Sequence, residues 1–245
     1  MRRLLVCLCV CSVIMLGQAV SAAIAYVQQA AAGETGAGDG VIAVAYPSNV
    51  TAGNLLVVVV RWGNAVSFTS LVDTLGNTWQ QDAALVWDTA ESVETRVYSA
   101  IANSSGANTV TFTVSAPQRI GVIVHEFSGS FSACRVDQTN TNESLTGTAI
   151  DSGNVTTTVA DALLFGATGY AGSGTPVTVG TGYSNLIEET TMRHAAESKI
   201  VSGTVTDSAD FTIDTSEPWG AMVLAFSEAA CASGGAKSLL LMGVG

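Results

Sequence analysis

The sequence predicts an all-β fold, a two-sheet antiparallel sandwich of jelly-roll type. Three observations carry the prediction. Past residue 23, runs rich in Val, Ile, Thr and aromatic residues recur about every 10 to 15 residues, divided by Gly, Asn, Asp and Ser, which is the rhythm of a sandwich or barrel. The stretch "NTVTFTVS" sets Val110, Phe112 and Val114 against Thr109, Thr111 and Thr113, as a strand with one buried and one wet face requires. After the N-terminal leader, no stretch reads convincingly as a helix.

Taken in order, strands are expected near 24–29, 40–46, 54–62, 67–72, 77–87, 94–101, 108–115, 119–127, 153–158, 161–168, 176–180, 190–201, 203–213 and 219–227. "NLLVVVVRW", 54–62, is apolar on both faces. It is a central strand covered on two sides, or one whose outer face meets another subunit. Pro47, Pro117, Pro176 and Pro218 all fall at strand edges or turns, where a missing N–H does no harm.

The ends differ from the middle. Arg2 and Arg3 precede the apolar run "LLVCLCVCSVIMLG", and small residues follow at Ser21, Ala22 and Ala23. A run of about 14 residues falls short of the ~20 that span a bilayer, so 1–22 reads as a secretory signal peptide. One β-sandwich domain is expected over 23–229. Residues 230–245 read as a Gly/Ser joint with a short apolar tail, suited to pairing with a neighbouring subunit's edge. Cleavage removes Cys7, Cys9 and Cys11 and leaves Cys134 and Cys231, which in an oxidising compartment are either a disulfide or two buried thiols. It also leaves seven basic against 20 acidic residues, net −13, a balance that argues against nucleic acid and anionic membranes as partners.

Candidate chemistry sits in four places. "VDTLGNTW" brings Asp73, Asn77 and Trp79 to a tight turn: a plain hairpin, part of a calcium site, or a sugar-stacking tip. "WDTAESVETR" gathers Asp88, Glu91 and Glu94, a solvated acidic tip or half of a glycosidase carboxylate pair with Glu126. In "VIVHEF", His125 and Glu126 point to opposite faces, so they do not form an acid–base pair. The other histidine, His194, lacks any motif that would make it catalytic. "DSADFTIDT" aligns Asp210 and Asp214 on one face, a weak metal candidate. Trp62, Trp87 and Trp219 end or start apolar runs and are expected to cap the core.

In this order, "NVTAGNLLVVVVRW", "LVDTLGNTW", "YSAIANSSGANTVTFTVS", "GVIVHEFSG" and "EPWGAMVLAFS" resemble a loosely defined group of secreted jelly-roll-like modules of bacterial and phage-associated proteins. The resemblance covers about 24–229 and rests on turn and core signatures. It implies the fold and export, and no catalytic residues.

The expected function is a secreted, non-catalytic module for surface binding or adhesion, with a glycan or other surface polymer as partner. Its contact region is the tips at 73–79 and 88–94. One alternative is a structural subunit of an extracellular filament, coat or matrix that self-associates through its tail. A second is a glycoside hydrolase or lyase. No cofactor is expected, with calcium the one ion the acidic loops would suit.

Overall fold

Nested antiparallel pairing organises the first half of the chain. In the computed structural model, which describes residues 23–34, 36, 38–63, 65–87, 92–172 and 177–228, eight strands come first. They are β1 (Ala25–Gly33), β2 (Val41–Ala45), β3 (Leu55–Gly63), β4 (Phe68–Asp73), β5 (Gln80–Trp87), β6 (Val93–Ile101), β7 (Thr109–Val114) and β8 (Ile120–Ser128). β1 pairs with β8, β2 with β7 and β3 with β6, a long hairpin rolled upon itself, which is the jelly-roll wind. The result is a five-stranded sheet β1-β8-β3-β6-β5 facing a three-stranded sheet β2-β7-β4. Between them lie Leu56, Val58, Val60, Trp62, Val110, Phe112, Val122 and Val124.

The second half repeats this plan. Its strands are β9 (Val136–Ser144), β10 (Ala149–Asp151), β11 (Val155–Thr156), β12 (Ala162–Tyr170), β13 (Ser184–Glu189), β14 (His194–Val201), β15 (Thr206–Asp207), β16 (Asp210–Thr212) and β17 (Trp219–Ser227). The sheet order β9-β17-β12-β14-β13 reproduces β1-β8-β3-β6-β5. The pair β10-β16, with a bridge from Thr178 to Thr212, stands for β2-β7-β4. Registers coincide as well. Leu55 faces Ile101 and Phe127, and Leu163 faces Ile200 and Phe226. Ile42 faces Phe112 and Ile150 faces Phe211. The first strand of each half carries a bulge at the matching place, after Tyr26 and after Val136. Both turns into the central strand use a left-handed residue, Gly53 (φ 87°) and Asp161 (φ 59°).

The sandwich expected over 23–229 therefore occurs twice, and the two copies stand back to back. Leu55, Val57, Val59, Ile123 and Phe127 meet Leu163, Phe165, Ala167, Met222, Leu224 and Phe226 in one core. This explains why 54–62 is apolar on both faces: its second face meets the other half of the same chain. The contact is approximately two-fold. β5 packs on β17 and β9, and its counterpart β13 packs on β8 and β1, the reciprocal arrangement of an isologous interface. Matched glycines allow it. A Cβ at Gly121 would collide with His194 and Met192, and one at Gly220 would collide with Trp87 and Leu85.

Departures from the expected strands fall at sheet edges. β9 and β13 each pair on one side only and lack apolar alternation (burial mostly partial), so neither was foreseen. Of the strand expected at 176–180, the described part, 177–180, holds one bridge, at Thr178, and 203–213 breaks into β15 and β16. Among the described residues there is no helix, and so none long and apolar enough to cross a membrane. The signal segment 1–22, the tail 230–245 and Cys231 lie outside the described residues.

Candidate functional site

The hairpin at 73–79 is built around one carboxylate. Asp73 ends β4, and its Oδ1 accepts from the backbone N–H of Leu75 (3.0 Å) and of Asn77 (3.1 Å). Its Oδ2 accepts from Asn77 Nδ2 (2.9 Å) and Trp79 Nε1 (3.0 Å). Asn77 Oδ1 in turn accepts from the Asn103 N–H at 2.7 Å, and Asn103 Nδ2 donates to the Gly76 carbonyl. Asp73 thus does what Asp does in an Asx turn, with its two oxygens shared among four donors. Trp79 is half-buried against the first core rather than laid out flat. The three residues do converge, and what they form is a staple between the 73–79 turn and the 102–108 turn.

Among the described residues, the remaining acidic candidates do not converge. Asp88 and Glu91 lie outside the described residues. Glu94 is buried and pairs with Arg96 (2.6 Å), whose guanidinium covers Trp62 and Phe68. Glu126 is fully buried at the opposite end of the sheet, accepting from Gln28 Nε2 (2.5 Å), Asn54 Nδ2 (2.6 Å) and the Thr51 N–H (2.9 Å). Register measures their separation. Glu94 is opposite Trp62 and Glu126 opposite Leu56, six residues along β3 or about 20 Å at ~3.3 Å per residue. Glycosidase pairs sit roughly 5 to 9.5 Å apart. Asp210 receives the Thr181 N–H at 3.4 Å, and Asp214, exposed, binds Thr215. Among the described residues no three His, Cys, Asp or Glu side chains gather as a metal site would need.

The histidines are packing residues. His125 lies in the seam between the two sandwiches, stacked on Phe127 at 5.9 Å and edge-on to Phe165 at 5.1 Å, while Glu126 faces the other core as strand alternation expects. Burial pushes its pKa down to about 3, with the Asn185 backbone opposing weakly. His194 is also fully buried; burial, aided by the Arg61 charge, pushes it down to about 3. Both are neutral at pH 7. Trp62, Trp87 and Trp219 are buried caps, as expected.

One residue here escaped sequence reasoning, and one surface was legible only along its Thr109–Thr113 strand. The residue is Glu197 on β14, fully enclosed, with Oε2 accepting from the Gly180 N–H at 2.7 Å and Oε1 without a partner. Burial raises its pKa to about 8, and the nearby Asp210 and Asp207 charges add to this. The surface is the outer face of the sheet β2-β7-β4. Ladder pairing lines up Val41 with Thr113 and Ser70, Ala43 with Thr111 and Val72, and Ala45 with Thr109. The face carries no charged residue, with Val41 39% and Val72 53% exposed. The Thr109–Thr113 alternation was legible, but its neighbours across the sheet were not.

Together these features define a tandem jelly-roll sandwich in which Asp73, Glu94, Glu126 and both histidines serve its own architecture. Comparison of the chain with protein-family models, with curated proteins and with solved structures finds no match.

Proposed function

We propose that the chain is an exported, non-catalytic module that docks on an extended surface polymer, with an insoluble polysaccharide as the ligand class. The observation that carries this reading is the uncharged Thr/Val/Ala face of β2-β7-β4. Its side chains repeat at about 4.8 Å across strands and about 6.7 Å along them, a regular grid suited to a repeating polymer rather than a compact ligand. The basic, apolar and small-residue pattern of 1–22 supports export. In a pull-down with cellulose, chitin and peptidoglycan, the exported chain is expected on at least one pellet. Thr111→Glu and Val72→Glu should each release it. Retention by both variants would sink the assignment of this face.

A second reading, a subunit of an extracellular filament or coat, is favoured by the open edges of β4 and β9, since an unpaired strand edge is a template for another chain. Light scattering separates the two. Assembly that is lost on deleting 232–245 supports the subunit, and a monomer indifferent to that deletion supports the binding module.

Export also frames the cysteines. A Cys134–Cys231 disulfide is supported by the strand ends next to it, since Ser227 N–H donates to the Arg135 carbonyl at 2.7 Å, and Cys134 is not a free thiol. It would close a loop of about 100 residues, worth up to ~4.7 kcal/mol on the chain-entropy model. Non-reducing peptide mapping of the secreted chain tests it.

A further inference from the structure

A cleft of about 340 Å³ opens at the seam of the two sandwiches. Arg61, Gln118 and Arg119 line it from the first, and Thr191, Met192 and Arg193 from the second. We propose that this cleft is an oxyanion-binding site that takes the carboxylate or sulfate group of an acidic saccharide. The proposal goes beyond the polymer-docking face and does not depend on it.

Charge scarcity is the first argument. Beyond the leader the chain has seven basic residues against 20 acidic ones, and three of the seven meet here. Architecture does not demand them, because the fold contains the same place twice. By register, Arg61 corresponds to Gly169, Arg119 to Pro218 and Gln118 to Glu217. Arg193, whose carbonyl receives the Tyr170 N–H, corresponds to Glu94 opposite Trp62. The same four fold positions thus carry three arginines in one set and, in the symmetry-related set, two acids, a glycine and a proline.

Geometry gives each arginine a different task. Arg61 is buried, its guanidinium over the Trp87 ring (4.9 Å to the centroid), and its Nη1 donates to the Arg193 carbonyl at 2.8 Å. Arg119 Nη2 donates to the Thr191 carbonyl at 2.7 Å, and its Nε reaches the Glu34 carbonyl at 3.4 Å. From behind, the Glu189 carboxylate accepts from Thr191 N–H (2.9 Å) and Met192 N–H (2.6 Å). The 190–193 turn is therefore held from two sides. It presents Arg193 in a left-handed conformation (φ 56°), and the Arg193 guanidinium makes no hydrogen bond or ion pair among the described residues. Two arginines and Glu189 build the wall; the third offers an unspent fork.

Ligand chemistry follows. A planar guanidinium fork matches carboxylate, sulfate or phosphate in paired hydrogen bonds, and the Gln118 amide and Thr191 hydroxyl add neutral polar contacts of the kind sugars use. The volume stands at the low end of the ~300–1,000 Å³ range of small-ligand sites. Without the leader's Arg2 and Arg3, the seven basic and 20 acidic residues give a net charge of −13, which repels a polyanion such as nucleic acid, whereas one anionic group on a short saccharide meets mainly the local field.

Isothermal titration of the exported chain tests this with digalacturonate, a sulfated disaccharide, a neutral disaccharide, and free sulfate and phosphate. At least one acidic disaccharide should bind while the neutral one does not. Arg193→Asn, which tolerates the left-handed backbone, should weaken binding about tenfold, the effect of one charge-assisted hydrogen bond. Arg119→Gln should weaken it too, and Lys199→Gln, outside the cleft, should not. Unchanged thermal unfolding of Arg193→Asn certifies the fold. No binding by either acidic disaccharide, binding unmoved by Arg193→Asn, or free sulfate or phosphate bound as tightly as the saccharides would each overturn the assignment. Polymer pull-down should be indifferent to Arg193→Asn, so failure of one proposal is distinguishable from failure of the other.

Discussion

Removing the Asp73 carboxylate tests whether "VDTLGNTW" is a structural staple. In Asp73→Ala, four donors lose their acceptor: Leu75 N–H, Asn77 N–H, Asn77 Nδ2 and Trp79 Nε1, at 2.9 to 3.1 Å. A net hydrogen bond is worth about 0.5–1.5 kcal/mol, and more when one partner is charged. Asp73 is half-exposed, so water takes over part of each donor, and the sum is discounted to about 2–4 kcal/mol. Asp73→Asn separates the two oxygens. It can keep the Oδ1 bonds to both backbone amides, but it turns an NH2 toward the Asn77 and Trp79 donors, so about half the loss is expected. Urea unfolding at constant m-value reads both. An Asp73→Ala variant within 0.5 kcal/mol of the parent, or a parent stabilised by calcium in a way that Asp73→Ala abolishes, would refute the staple and restore the ion site.

Further expectations concern the seam and the buried titratable groups. Glu197, raised to about 8 from an ordinary 4.5, keeps a proton in the fold that the unfolded chain has released. Its contribution is whole below about pH 4.5 and lost as pH rises through about 8, a span worth on the order of a few kcal/mol. Glu197→Gln should therefore flatten the alkaline fall of the melting temperature between pH 6 and 9, and an unchanged slope would show that the carboxyl is not protonated. His125 and His194 act at the other end. Each is pushed down to about 3, so the stability of the neutral form is present above about 6.5 and lost as pH falls toward 3. His125→Leu should blunt acid unfolding, and an acid limb identical to the parent would remove His125 from its cause. Phe165→Ala takes a ring from the seam, where it touches His125, Phe127 and Phe226. It should cost about 3–5 kcal/mol in one cooperative transition. Two separate transitions in the parent would mean that the sandwiches fold independently and the seam is weak.

How much of this was legible depends on whether a signal is local. Alternation in "NTVTFTVS" and the double-faced run at 54–62 are properties of single strands, and they led directly to an antiparallel sandwich with a covered central strand. The hairpin reading of 73–79 was also local, since Gly and Asn allow the turn, yet the role of Trp79 as a donor to Asp73 was not. Edge strands failed for the converse reason: Val136–Ser144 and Ser184–Glu189 are held by ladder hydrogen bonds on one side, and backbone bonds leave no imprint on side-chain pattern.

The duplication was present in the sequence but faint. "AGNLLVVVV" corresponds to "ADALLFGAT", "VTFTV" to "ADFTI" and "GVIVHEFS" to "GAMVLAFS". Most of what the copies share faces inward, as at Leu55/Leu163, Phe112/Phe211 and Phe127/Phe226, because packing constrains those residues and leaves loops free to drift. That division has a consequence for function. Residues repeated between the copies answer mainly to the core, so an acquired task is best sought where the copies differ. The differences gather at the seam's end, where Arg61, Arg119 and Arg193 replace Gly169, Pro218 and Glu94 across strands remote in sequence, and at the outer sheet, which is three-stranded in the first copy and two strands plus a bridge in the second. A variant that grafts the first copy's residues onto the second, Gly169→Arg with Pro218→Arg, would meet Trp87 and Arg61 in the space that Gly169 leaves open. One seam can hold one such cleft, which makes the asymmetry a property of the packed pair rather than of either sandwich alone.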